Sequence, residues 1–173
     1  MKKLCIILAA VVALFVGAVC VQAQNLDGIT YLTEDYPPFN FDEGGKLKGI
    51  SIDMLAAAFK QAGASKKTSD VQLVPWANGY DRVQKEPNVC LFAMTRTEAR
   101  EKLFKWAGPI AKVEIVVIGR KGKIAAKSVA DLKNYALGVV REDVGQQLLV
   151  EGGYPADKLD ISPKSEALIK KLE

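Results

Sequence analysis

Residues 89–104 read Val89-Cys90-Leu91-Phe92-Ala93-Met94-Thr95-Arg96-Thr97-Glu98-Ala99-Arg100-Glu101-Lys102-Leu103-Phe104, and the change of pattern inside them decides the fold class. Val89 to Ala93 is apolar throughout, as expected of a short strand buried between two layers. From Thr97 to Phe104 the run is charged, and a short helix is expected. A buried strand feeding directly into a helix is half of a βα unit, and the alternation repeats on both sides.

Upstream, a strand runs through Ile29 and Tyr31 to a turn at Pro37-Pro38. Gly44-Gly45 marks a hairpin-like loop that Gly49 closes. Ile52, Leu55, Phe59 and Ala62 recur at helical spacing, with Asp53 in the first turn and Gly63 as the stop. Val71 to Val74 is a strand ended by Pro75, and Asn78 to Glu86 is helical. Downstream, Gly108-Pro109 opens a second α/β unit. Val113 to Ile118 is expected to be a long β-branched strand. Ser128 with Asp131 opens a short helix in the manner of a capping box. Ala136 to Val140 is a buried strand, and Asp143 is the N-cap of a helix that Gly152-Gly153 ends. Leu159 to Ile161 and Ser165 to Leu172 add a strand and a helix. This order predicts an α/β fold with a mostly parallel sheet.

The chain has 173 residues, with 24 Lys+Arg, 20 Asp+Glu, three Cys and no His. A net charge of +4 is too mild to argue for nucleic acid. The lack of His excludes Ser-His-Asp and Cys-His hydrolases and His-ligated zinc. With 25% charged residues and a mean hydropathy of +0.07, the bulk is neither disordered nor polytopic. Lys2-Lys3, the apolar run Leu4 to Val21 and the small Ala23 read as a signal peptide over residues 1–23, cleaved after Ala23. The alternative is an uncleaved anchor, because the apolar run is just long enough to span. Cleavage would leave Cys90 as the one cysteine, a small core residue.

Four places carry chemistry. Thr33-Glu34-Asp35-Tyr36-Pro37-Pro38-Phe39 lies at the carboxyl end of the first strand, where open α/β sheets bind ligands; it serves equally as a ligand platform or a packed turn. Trp76 follows another strand end, and either stacks on a ligand or covers the core edge. At Thr95 to Arg100, backbone N–H groups, a hydroxyl and a guanidinium converge into a carboxylate site, unless the charges only solvate a helix. Arg141-Glu142-Asp143 sits at the equivalent turn of the second unit, with Asp143 read as a plain N-cap. No Gly-rich phosphate loop, paired catalytic carboxylates or Cys/His cluster is visible, so neither cofactor nor metal is expected.

These residues resemble the family 3 extracellular solute-binding proteins, the polar amino-acid binders that feed ABC transporters. The resemblance rests on residues 33–39, on Gly45 to Asp53, on Thr95 to Phe104 with Trp106 to Ile110, and on Asp131-Leu132-Lys133 with Leu137 to Val140. It implies a type II periplasmic-binding-protein-like α/β fold, two lobes joined by a hinge, closing on a solute. Residues 24–109 would form the first lobe; residues 110–173 would form a hinge strand and part of the second, without its return segment. By this resemblance Tyr36 and Trp76 pack on the solute, Thr95 donates a hydrogen bond and Arg100 pairs with an α-carboxylate. Glu34 and Arg141 complete the expected ligand-binding set. The chain departs from the family pattern at Ala93, where Ser is common, and at Glu142-Asp143, which leaves room for a cationic solute. The implied protein is a periplasmic, monomeric, non-enzymatic binder of an amino acid or related compound, partnered by ABC-transporter membrane subunits. Alternatives are a dehydratase on the same fold, a membrane-anchored sensor domain and a remnant that binds nothing.

Overall fold

The computed structural model describes residues 26–172, so the expected signal peptide and its cleavage site lie outside the described residues. The first half is a three-stranded parallel sheet in the order β4-β1-β5, formed by β1 (Thr30–Thr33), β4 (Gln72–Leu73) and β5 (Val89–Leu91). Central β1 is buried on both faces, as its apolar run requires: Tyr31, Leu32 and Thr33 are all buried. Tyr31 faces Phe59 of α1 (Ile50–Ala62) and Val71. Leu32 faces the other way, onto Trp76 and Tyr80 of α2 (Trp76–Lys85) and onto Leu91. Alternation along one strand therefore supplies two cores, with a helix over each face.

Between β1 and α1 stands the hairpin β2 (Phe41–Glu43) and β3 (Lys46–Lys48). Its turn residues Gly44 and Gly45 have φ of 65° and 79°, the left-handed pair that a tight hairpin demands. Gly49 then enters α1 at φ 115°, where a Cβ would stand 2.4 Å from the Phe39 carbonyl oxygen. This close approach lets the Ser51 N–H reach that same oxygen at 2.8 Å.

Helix α3 (Glu98–Glu101) is shorter than the charge pattern suggested, and Thr97 caps it by accepting from the Arg100 N–H. The second half contains α4 (Val129–Leu132), β6 (Leu137–Val140), α5 (Val144–Glu151), β7 (Leu159–Ser162) and α6 (Ser165–Leu172). Strands β6 and β7 pair in parallel, Leu137 with Leu159 through to Val140 with Ser162. The Ser128–Asp131 capping box forms, with the Asp131 carboxylate accepting from the Ser128 N–H at 3.0 Å. Leu132, Leu137, Val139, Leu149, Tyr154 and Leu159 make the second core. Val140 and Leu168 instead join the cluster around Leu32, Trp76 and Tyr80, so the two halves pack on each other.

The expected strand Val113 to Ile118, the hinge strand of residues 110–173, does not form. Val116 and Ile118 are 67% and 70% exposed. β-branched residues favour an extended backbone, but a strand exists only where a neighbour completes its hydrogen-bond ladder. Among the described residues no strand pairs with this segment.

Candidate functional site

Parallel strands bring their carboxyl ends to one edge of the sheet, and the expected binding residues gather there. Glu34 follows β1, Trp76 opens α2 directly after β4, and Thr95 lies in the loop after β5. Buried Asn40 holds the Glu34 loop by donating from its side-chain amide to the Glu34 carbonyl at 2.7 Å. Tyr36 stacks on Phe39 with ring centres 5.6 Å apart and is 44% exposed.

Arg100 is the hub. It is 1% exposed, and its guanidinium lies 5.3 Å from the Trp76 ring centre and 4.9 Å from that of Tyr80. Cation–π attraction is strongest in such a desolvated setting, up to ~2 kcal/mol. Arg100 Nη1 donates to the Thr95 carbonyl at 3.2 Å. Its Nε donates to Gln147 Oε1 at 2.9 Å, and its Nη2 to the Glu142 carbonyl at 3.4 Å. Trp76 Nε1 donates to the same Glu142 oxygen at 2.8 Å. Glu142 can serve both because its φ of 58° turns the chain sharply at the end of β6. Burial pulls the Arg100 pKa down, against the opposing fields of Tyr80, Asp143 and Glu34.

Two acidic side chains lie within electrostatic reach of this cation. Asp143 caps α5, accepting from the Val144 N–H at 2.5 Å. Its pKa is raised by burial, which outweighs the backbone hydrogen bonds and Arg100 that oppose it. Glu34 is half-buried, and burial together with the charges of Asp143 and Asp35 pushes it up to about 7, with Arg100 pulling the other way. Burial raises the Tyr36 hydroxyl pKa, and the fields of Asp143 and Glu34 add to it.

A raised carboxyl pKa means that the folded state holds a proton the unfolded state has lost. Stability is therefore expected to fall as pH rises from about 4.5 to about 7, by an order of 3 kcal/mol for Glu34. Thermal melts across that window should show the loss in wild type and a flatter profile in Glu34→Gln. Equal slopes in the two proteins would contradict the assignment.

The structure thus gathers Glu34, Trp76, Thr95 and Arg100, with Tyr36 beside them. Arg141 stands apart: its backbone N–H bonds the Ser162 carbonyl at 2.9 Å and its side chain is exposed. Sequence reasoning passed over Tyr80, Gln147 and the Glu142 carbonyl, and took Asp143 only as a cap. The usable signal was helical spacing. Tyr80 is four residues after Trp76 on α2, and Gln147 of α5 is four after the cap Asp143, so each pair lies on one side of its helix.

Residues 29–172 match the family model described as bacterial extracellular solute-binding proteins, family 3. The chain is 23% identical over 167 residues to the arginine-binding extracellular protein ArtP of Bacillus subtilis (strain 168), covering 91% of this chain and 64% of that protein. Among solved structures, an ancestral arginine-binding protein bound to arginine superposes with a TM-score of 0.66 at 26% identity, over 84% of this chain and 65% of that one. The ancestral amino acid-binding protein AncCDT-1, a precursor of cyclohexadienyl dehydratase, gives a TM-score of 0.62 at 22% identity, over 84% of this chain and 66% of that one. The fold is that of the type II periplasmic binding proteins, and the chain spans about two thirds of the length of these relatives. The matched residues, the parallel sheets and the shared fold establish that this chain belongs to the family 3 bacterial extracellular solute-binding proteins.

Proposed function

We propose that this chain captures a small amino acid carrying extra positive charge, or a related cationic solute, for uptake. The observation that carries this reading is the buried Arg100 guanidinium at the edge where the halves meet, with the acidic side chains of Glu34 and Asp143 within its electrostatic reach. An amino acid is a carboxylate joined to an ammonium, and a basic one adds a second cation. Arg100 complements the carboxylate through parallel hydrogen bonds, while Glu34 and Asp143 offer oxygens to the positive groups, whose charge favours the ionised form of both acids. Tyr36, Trp76 and Thr95 supply the wall and a hydroxyl, and the exposed Arg141 takes no part in this reading. The arginine-binding relatives support this choice of solute class.

In this reading residues 24–109 and 110–173 are the two units that close on the solute. The protein is exported by residues 1–23, cleaved after Ala23, and delivers its cargo as a monomer to ABC-transporter membrane subunits. It catalyses no reaction. The test is a thermal-shift panel of basic, neutral and acidic amino acids and polyamines. Basic amino acids should raise the melting temperature, and acidic ones should not. A shift confined to acidic amino acids would overturn the proposal.

A further inference from the structure

The acceptors on Arg100 are arranged in a way that bears on how a solute is selected. Nε and Nη2 form the side-on edge of a guanidinium, the edge a carboxylate uses when it pairs through both oxygens. In this protein that edge is already taken by two oxygens, Gln147 Oε1 at 2.9 Å from Nε and the Glu142 carbonyl at 3.4 Å from Nη2. The two acceptors are tied to each other, since Gln147 Nε2 donates to the same Glu142 oxygen at 3.5 Å. Both come from the second half, at the end of β6 and the first turns of α5. Arg100 and Trp76, which donate to them, come from the first.

We propose that the Gln147 side-chain amide and the Glu142 main-chain carbonyl act as an internal carboxylate mimic, which competes with a solute carboxylate for the side-on edge of Arg100. This rests on the reading of Arg100 as the carboxylate site. It makes Gln147 a specificity-determining residue: a solute must exchange one pair of acceptors for another, so only a charged, bidentate carboxylate displaces the neutral pair. Amides and monodentate anions gain too little. Main-chain geometry keeps the mimic in place, because Asp143 anchors the start of α5 and the Glu142 N–H is held by Gln146 Oε1 at 2.7 Å.

Two substitutions in the full chain move the competition in opposite directions. Gln147→Leu removes one mimic oxygen at nearly constant volume. Gln147→Glu turns a neutral acceptor into an ionised one, and charge-assisted bonds are about twice as strong. By calorimetric titration with L-arginine, Gln147→Leu is expected to bind about tenfold tighter than wild type and Gln147→Glu about tenfold weaker, the scale of one hydrogen bond to a charged group. A parallel readout needs no solute. Phenylglyoxal modification of Arg100, followed by mass spectrometry, should be fastest in Gln147→Leu, slower in wild type and slowest in Gln147→Glu. Weaker or unchanged L-arginine binding by Gln147→Leu would overturn the mimic, as would the reverse order of modification. If no amino acid binds wild type but the order of modification holds, the solute reading fails and the protected edge of Arg100 stands.

Discussion

Replacing Arg100 by alanine is expected to lower affinity for the preferred amino acid about ten- to hundredfold, the loss of a charge-assisted pair worth about 1.5–3 kcal/mol. The guanidinium is buried between Trp76 and Tyr80 and fixed by the Thr95 carbonyl. Its orientation is therefore set before a solute arrives, and no ordering cost offsets the bond. Arg100→Lys should fail to restore binding, because an ammonium lacks the planar fork and cannot stack in the same way on the two rings. Calorimetry on both variants, alongside melting curves that remain cooperative, separates lost binding from lost folding. Undiminished affinity in Arg100→Ala would remove Arg100 from the site.

The second large effect is on stability. Trp76 is 4% exposed, stacks on Tyr80 at 5.6 Å and packs with Leu32, Leu91 and Val140. Trp76→Ala is expected to destabilise the protein by about 3–5 kcal/mol, through lost burial and the cavity left behind. That corresponds to a fall in melting temperature on the order of 10 °C. Trp76→Phe keeps most of the packing but removes the bond from Nε1 to the Glu142 carbonyl. It should cost about 1 kcal/mol for that bond, since Arg100 Nη2 and Gln147 Nε2 still donate to the same carbonyl. A loss below about 1 kcal/mol in Trp76→Ala would mean that Trp76 covers the edge of the core and does not join the halves.

Both predictions concern contacts between segments far apart in sequence, and this is where the limit of sequence reasoning lies. Local signals read well. The Gly44-Gly45 turn, the Gly63 stop after α1, the Ser128–Asp131 box and the Asp143 cap all appear as expected. Each is set by backbone conformation or by a hydrogen bond spanning a few residues. The apolar runs around Leu32, Leu91 and Val139 are buried strands for the same kind of reason, because nothing else satisfies so many consecutive apolar side chains.

Val113 to Ile118 shows the converse. The run carries the strongest β signal in the second half, yet it is unpaired, because pairing depends on a second strand that local sequence cannot supply. Charges behaved similarly. Arg96 and Arg100 are four residues apart and chemically alike, but Arg96 pairs with Glu101 in solvent while Arg100 is buried at the junction. Nothing in their spacing separates them.

Taken by itself, the sequence determined the alternation of strands and helices, the parallel order that follows from it, and the set of residues that emerge at strand ends. These are consequences of periodicity, turn chemistry and capping, which act over a few residues. Only the tertiary structure decided that Gln147 and the Glu142 carbonyl meet Arg100, that Asp143 and Glu34 share one field, and that Trp76 joins both halves. The hydrogen bonds among those contacts cross 42 to 66 residues of chain. They are fixed by how the β6 end packs against the cluster around Leu32, a match of surfaces that no local pattern encodes.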